Sequence, residues 1–418
     1  MRIPPTRTPV LLGTQLLFNV GFYAVVPFLA LVLTRDFGLT ALAVGLVLGI
    51  RTFAQQGLFL VGGVLADRFG ARRVILLGCA MRVAGFATLA AALLAPTPAL
   101  PLFVVGTVLT GLGGALFSPG LNVLIADAEA RRPDAGGRSR ASLFAWLSVT
   151  GELGAVIGPL VGAALLGSGF VVVALSGAAL FTAIGLFLRV ALPPGPGRRT
   201  ARTRGGAWRS LRDRRFVGFS VVHTADLLAY NQLYLALPLH LARTTDAAAA
   251  TALMFASVSV LTLALQLPLS RWAGRVGAAV ALRTGYALSA TGFGVLAVGA
   301  TAATGDAAVV SAVFVSAGLI AAGHMLANPT ALALVPRFAA ALPTGSFFGL
   351  LATCGGVAVL GGNLVSGALS TWPAVPAAAA AFLALPLVVA AVATPRLAAR
   401  VASPPRSAQA PFEGAVRD

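Results

Sequence analysis

The stretch GGVLADRFGARR, residues 62–73, places one Asp and three Arg in a Gly-rich turn between two long apolar runs. The rest of the chain makes that expenditure of charge unusual. Of 418 residues, 58% are hydrophobic and only 10% are charged, and the mean hydropathy is +0.91. Soluble domains carry roughly 25% charged residues. Apolar runs near 20 residues recur, while short alternating strands do not. Together these observations predict an all-α membrane protein, because helices satisfy their backbone bonds internally within lipid.

Working outward from this turn, twelve apolar spans can be marked. The first six are 9–34, 40–66, 74–95, 100–126, 141–167 and 169–191, and the second six are 216–242, 247–270, 279–301, 305–335, 341–367 and 373–395. The chain thus divides into a six-helix half over 1–192, a basic linker over 193–215, a second six-helix half over 216–401 and a polar, Pro-rich tail over 402–418 expected to be disordered. The linker, PPGPGRRTARTRGGAWRSLRDRR, reads as a solvated segment touching lipid headgroups. Residues 9–34 are too long for a signal-peptide core and read as a retained first span.

Every basic residue is Arg, 30 in all, giving a formal charge of +18. When loops are assigned alternately to two sides, one side holds both termini and 26 of the 30 Arg. Arg35 and Arg243 lie on the other side, and Arg51 and Arg82 lie inside spans. Positive loops stay cytoplasmic, so both termini are expected in the cytoplasm and the chain in the cell membrane. The same distribution argues against nucleic acid as partner. The partners expected are the lipid bilayer and small molecules, with the chain a monomer. Cys79 and Cys354 both sit in apolar runs and read as small core residues rather than a disulfide or metal framework. No nucleophile–base pair, nucleotide motif or soluble catalytic domain argues for an enzyme.

The halves echo one another. SRWAGRVGAAVALR at 270–283 stands where GVLADRFGARRVIL stands at 63–76, with Gly274 in the place of Asp67. Two six-span halves joined by a basic loop suggest a transporter built of parallel repeats.

Ten of the twelve acidic residues lie in loops, tails or span ends; Glu152 and Asp226 lie inside spans five and seven. Each is about ten residues from its cytoplasmic end, hence roughly 15 Å deep in a hydrocarbon core of about 30 Å. An acid at mid-depth costs about 2.5–3.5 kcal/mol on the insertion scale, so it is expected to face a cavity or a partner. A carboxylate there can hold a proton or a nearby cation, which is the physical basis of exchange. His223, Asp226 and Tyr230, at i, i+3 and i+7, share one helix face. Similar polar stripes run through Gln15, Asn19 and Tyr23, through Ser118 and Asn122, and through His324 and Asn328. The buried cations Arg51 and Arg82 are each able to pair with Glu152 or to bond carbonyls.

Residues 62–73 resemble the G-x-x-x-D-R-x-G-R-R motif of the major facilitator superfamily, matching at Gly63, Asp67, Arg68, Gly70, Arg72 and Arg73, with Ala71 inserted. LGIRTFAQQG at 48–57, MRVAGFAT at 81–88 and LTGLGGALFSP at 109–119 look like the bacterial MdtH-type multidrug transporters of the drug:proton antiporter branch. GAVIGPLVGA at 154–163 resembles the helix-five antiporter motif at Gly154, Gly158, Pro159 and Gly162, while Ala163 departs from it. The resemblance implies that the 62–73 loop latches the two halves when the transporter faces outward, with Arg68 and Arg72 near an acid of helix four, Asp127 first and Glu129 second. It implies that helices one, four, seven and ten line the cavity. The substrate residues would then be Gln15, Asn19, Tyr23, Asn122, His223, Tyr230, His324 and Asn328, with Phe22, Phe28, Phe117 and Tyr234 as lining aromatics. Proton coupling falls to Asp226 and Glu152, assisted by Arg51 and Arg82. The last role is needed because Thr107 to Gly114 carries no charge, so the family's helix-four Arg is missing.

The expected function is proton-coupled efflux of amphipathic or cationic small molecules by alternating access, with protons as coupling ion and no cofactor. Proton-coupled solute uptake is the alternative, and a non-transporting membrane receptor or scaffold a more distant one.

Overall fold

The computed structural model describes residues 8–132, 140–192, 208–242, 244–302, 305–340, 342–370 and 376–402. Most of the basic linker, residues 193–207, and the tail from 403 lie outside the described residues. The first half of the chain contains α1 (Thr8–Val25), α2 (Leu29–Arg35), α3 (Ala41–Gln56), α4 (Phe59–Phe69), α5 (Ala71–Leu94), α6 (Leu100–Ala130), α7 (Leu143–Leu166) and α8 (Phe170–Ala191). After a short α9 (Arg209–Arg212), the second half contains α10 (Arg214–Asn231), α11 (Ala236–Leu241), α12 (Ala247–Val276), α13 (Ala278–Ala302), α14 (Asp306–Ala339), α15 (Gly345–Ser370) and α16 (Pro376–Ala402).

The repeat seen in the sequence is repeated in the backbone. The first long helix of each half is broken by a 3-10 turn, Val26–Phe28 between α1 and α2 and Gln232–Tyr234 between α10 and α11. Pro27 explains the first break, since its ring removes a helix donor. The third and fourth helical runs meet at Gly57 and Leu58. Both basic turns collapse to a single glycine with positive φ: Gly70 (φ 90°) joins α4 to α5, and Gly277 (φ 84°) joins α12 to α13. The space around both is open, but L side chains rarely adopt such a backbone conformation, so the otherwise charged turn needs glycine at that point. Asp67 and Arg68 accordingly lie in the last turn of α4 rather than in an extended loop.

Among the described residues, nine helical stretches are long and apolar enough to cross a membrane. The helices standing where the seventh, ninth and twelfth spans are expected are α10, α13 and α16. Polarity is the reason α10 falls short: it carries His223, Thr224, Asp226, Tyr230 and Asn231 within three turns. In α16 the apolar stretch is Ala380–Thr394.

Each half packs chiefly on itself, α5 against α6 and α8, and α13 against α14 and α16. Between halves, α4 lies along α15 and α7 along α12. Phe18 stacks on Phe117 at 3.8 Å between centroids in the first half. In the second, the buried Phe216, Phe219 and Phe347 and the partly buried Phe338 form an aromatic knot near the Arg-rich end.

Candidate functional site

The two halves are held together from the Arg-rich end to mid-depth. Asp67 accepts two backbone bonds from the first turn of α15, Gly345 N to Oδ1 and Ser346 N to Oδ2, each 2.7 Å. A carboxylate at a helix N-terminus satisfies orphan N–H groups and meets the positive end of the dipole. Gly63 makes this approach possible: a Cβ there would lie 2.0 Å from the Gly345 carbonyl oxygen. Deeper along the same seam, Leu60 N donates to Thr353 Oγ1 (3.0 Å), which itself donates to the Gln56 carbonyl (3.3 Å). On the other seam, Ser142 N donates to Ser270 Oγ (3.1 Å), and Ser259 Oγ donates to Glu152 Oε1 (2.6 Å).

The arginines of the basic turn have other neighbours. Arg72 donates to the Arg189 carbonyl at the end of α8, and the Arg68 guanidinium lies over Phe69. At the end of α6, where Asp127 and Glu129 lie, Glu129 pairs with Arg132 (3.3 Å) and accepts from Leu143 N at the start of α7.

Above the seam lies a cavity of about 320 Å³ between the halves. Asn122, His223, Tyr230 and Asn328 line it together with Ser118, and so do Gln56 and Asn231, which the sequence does not single out. Its apolar wall includes Phe59, Leu227 and Phe348. Asp226 sits behind this wall. Its side chain is 1% exposed, and Oδ2 lies 2.8 Å from Nδ1 of His324, whose side chain is 17% exposed. Tyr230 stacks flat on His324 with centroids 4.0 Å apart. His223 Nδ1 lies 3.0 Å from the buried Tyr286 hydroxyl of α13. Asp226 Oδ1 and His223 Nε2 are buried without a hydrogen-bond partner. The helical spacing within α10 was legible; Tyr286 was not, because one tyrosine in an apolar span carries no pattern. A further polar chain runs from Gln232 Nε2 to Asn363 Oδ1 (2.9 Å) and from Asn363 Nδ2 to Asn231 Oδ1 (2.8 Å).

The α1 stripe behaves differently. Gln15, Asn19 and Tyr23 do not line this cavity. Asn19 Nδ2 donates to the Gly151 carbonyl of α7 (3.0 Å). The helix-five glycines explain this placement, although small residues in such a motif lead one to expect close approach to the opposite half. Gly154, Gly158 and Gly162 allow approach to α1 of the same half, not to the opposite half: added Cβ atoms would stand 2.5 Å from Asn19 Cβ, 2.6 Å from Tyr23 Cβ and 2.1 Å from the Ala24 carbonyl oxygen. Pro159 lies within α7 among these glycines. Tyr23 is nonetheless within electrostatic reach of Glu152, Arg51 and Arg82, and Glu152 within reach of Tyr230 and Tyr234. Of the expected lining aromatics, Phe117 is fully buried and Phe22 nearly so.

Neither buried arginine pairs with Glu152. Arg51 donates to Gln55 Oε1 (3.1 Å) and Thr52 Oγ1 (3.3 Å). Arg82 is 0% exposed, and none of its three guanidinium nitrogens has an acceptor. It lies instead over Phe18 and Phe22, 4.5 Å from each centroid, and 5.4 Å from Phe181. Arg51 lies over the same Phe22 ring at 5.4 Å. Cation–π contact of this kind contributes about 2 kcal/mol in a desolvated site.

A bundle of long apolar helices in two repeats, closed at one end over a central, largely apolar cavity with a few polar groups, defines a multi-pass membrane transport protein. The family comparison agrees: the Major Facilitator Superfamily model matches residues 11–230. The chain is 35% identical over 375 residues to an uncharacterized MFS-type transporter of Mycobacterium tuberculosis strain H37Rv, covering 87% of this chain and 85% of that one. It therefore belongs to the Major Facilitator Superfamily, as a transporter of the cell membrane rather than an enzyme. It is also 37% identical over 264 residues to the multidrug resistance protein MdtH of Escherichia coli O1:K1 / APEC, over 63% of each chain. Among solved structures, the transporter FucP in its outward conformation matches with a TM-score of 0.70 at 14% identity, over 95% of this chain and 99% of that one. A bacterial homologue of the iron transporter ferroportin in an outward-facing state matches with a TM-score of 0.70 at 16% identity, over 94% and 98%. At such identities these likenesses speak for the fold alone.

Proposed function

We propose that this chain exports amphipathic or cationic small molecules in exchange for protons, as a twelve-helix transporter with both termini in the cytoplasm. The observation that carries the reading is the Asp226–His324 pair, which bridges α10 and α14 beside the central cavity. Asp226 is shut away from solvent, so protons reach it by way of the more exposed imidazole. With His324 protonated, the pair is an ion pair; as the proton leaves, the attraction between α10 and α14 weakens. A cationic substrate held over Tyr230, which stacks on the same imidazole, is repelled by the imidazolium charge. Proton and substrate thus exclude one another through one ring, which is the requirement for antiport. Glu152 is the second acid, and its bond to Ser259 crosses from one half to the other. A carboxylate in that position couples its own charge state to the separation of α7 from α12.

With the Arg-rich end cytoplasmic, the Asp67 and Ser142 contacts close the cytoplasmic side, and this conformer faces outward. The cavity wall is largely apolar with a few amides, a lining suited to loose selection among substrates. The likeness to MdtH supports drugs as cargo.

The test is dye efflux in inverted vesicles with an imposed pH gradient, comparing wild type with Asp226→Asn and Glu152→Gln. The reading expects gradient-driven transport to fall to background in Asp226→Asn while gradient-independent exchange of dye persists. Normal pumping by both variants removes the coupling assignment. Dye movement in the same direction as the protons turns the reading to uptake by symport.

A further inference from the structure

Four side-chain amides line the central cavity, Gln56 and Asn122 from the first half and Asn231 and Asn328 from the second. Asn231 Oδ1 already accepts a bond from Asn363. The other three are half-buried, and among the described residues their side chains have no hydrogen-bond partner in the protein. Other amides of the bundle are engaged: Asn19 donates to the Gly151 carbonyl, Gln266 to the Met325 carbonyl and Gln232 to Asn363. The backbone makes room for the three in the cavity. Gly356 of α15 faces Gln56, where a Cβ would stand 2.6 Å from Gln56 Cβ and 2.9 Å from Oε1. Asn122 and Asn328 each lie within one turn of a proline inside their helix, Pro119 and Pro329. The same wall carries the rings of Phe59 and Phe348.

We propose that the preferred substrates are aromatic compounds with an amide-type edge: a carboxamide, lactam or urea that presents an N–H and a C=O side by side. A side-chain amide carries two donors and an acceptor, so it pairs with such an edge through two bonds. While the cavity is open to water, the three amides are solvated. When the cavity closes around a substrate that water leaves, and an amide without a partner then carries the full penalty of its desolvation. A wholly apolar guest imposes that penalty, and an amide edge removes it. A site built to hydrogen-bond its substrate rejects the analogue lacking the polar edge far more strongly than one differing by a methylene. The apolar wall is loose as to shape, and the amides add one polar requirement. The inference rests on reading this cavity as the substrate site and is independent of the proton-coupling residues.

The test is equilibrium binding to the full-length protein in phosphatidylcholine nanodiscs, without a pH gradient and with empty nanodiscs as the blank for partitioning. The probes are naphthamide, its N,N-dimethyl derivative and methyl naphthoate; the last two keep the ring and the carbonyl and lack the N–H. Wild type should bind naphthamide about tenfold more tightly than either, the worth of two net hydrogen bonds at the low end of their range. Gln56→Leu, Asn122→Leu and Asn328→Leu should each reduce this preference, and together abolish it. Retained binding of the ester reports that the cavity of a variant is intact, and the single variants carry the comparison if the combined one does not fold. Equal affinity of wild type for all three probes overturns the amide requirement and leaves the cavity as the substrate site. A preference that survives in the combined variant overturns it as well. No saturable binding of any probe overturns the proposal together with the reading of this cavity as the substrate site.

Discussion

Replacing Asp67 by Asn tests the α4–α15 latch most directly. The carboxylate accepts one bond on each oxygen, at 2.7 Å, from successive N–H groups of α15. An amide retains one acceptor and turns an NH2 toward the other N–H. One charge-assisted bond is lost, about 1.5–3 kcal/mol, together with about 0.3–1 kcal/mol of interaction with the helix dipole. Because the site is only part-buried, solvent screening argues for the low end, about 2 kcal/mol. At 1.4 kcal/mol per tenfold, that moves the ratio of closed to open Arg-rich end by about 30-fold toward open. Spin labels at Arg73 and Val280, exposed and equivalent by the internal repeat, report that opening as a distance distribution. The expected result is a longer-distance population in Asp67→Asn that is minor or missing in wild type. Identical distributions in the two proteins, with both folded, would refute the reasoning that these two bonds hold the end shut.

Other substitutions probe the remaining contacts. Gly63→Ala forces a Cβ to within 2.0 Å of the Gly345 carbonyl oxygen, so the same label pair should show opening at least as large as in Asp67→Asn. Gly158→Ala crowds Tyr23 Cβ at 2.6 Å and the Val20 carbonyl at 2.8 Å. Overpacking of this kind costs about 1–3 kcal/mol, read as a lowered thermal midpoint without a change in the 73–280 distance. Glu152→Gln keeps an acceptor for Ser259 and removes only the charge, so the unfolding free energy should stay within about 0.5 kcal/mol of wild type while proton-driven dye transport falls. Tyr286→Phe leaves both nitrogens of the buried His223 without a partner; a loss of about 1–3 kcal/mol is expected in unfolding measurements.

Much of the architecture was legible along the chain because hydropathy and helical period are local properties. The run 62–73, its echo at 270–283 and the skew of Arg between loops needed no coordinates to be read as a repeated membrane fold. The Asp226 face with His223 and Tyr230 followed from 3.6 residues per turn. What no local pattern supplied was the identity of partners far apart in sequence. Asp226 meets His324 from 98 positions away, and Asp67 meets Gly345 from 278. The arginines show the limit best: sequence offered Glu152 to Arg51 and Arg82, whereas packing gave Glu152 to Ser259 and left both guanidiniums on Phe22. The helix-five glycines likewise announced a close approach without naming the helix approached, which is α1. Composition fixed where charge had to leave the lipid; only the rotation and spacing of packed helices decided which buried charge faces which.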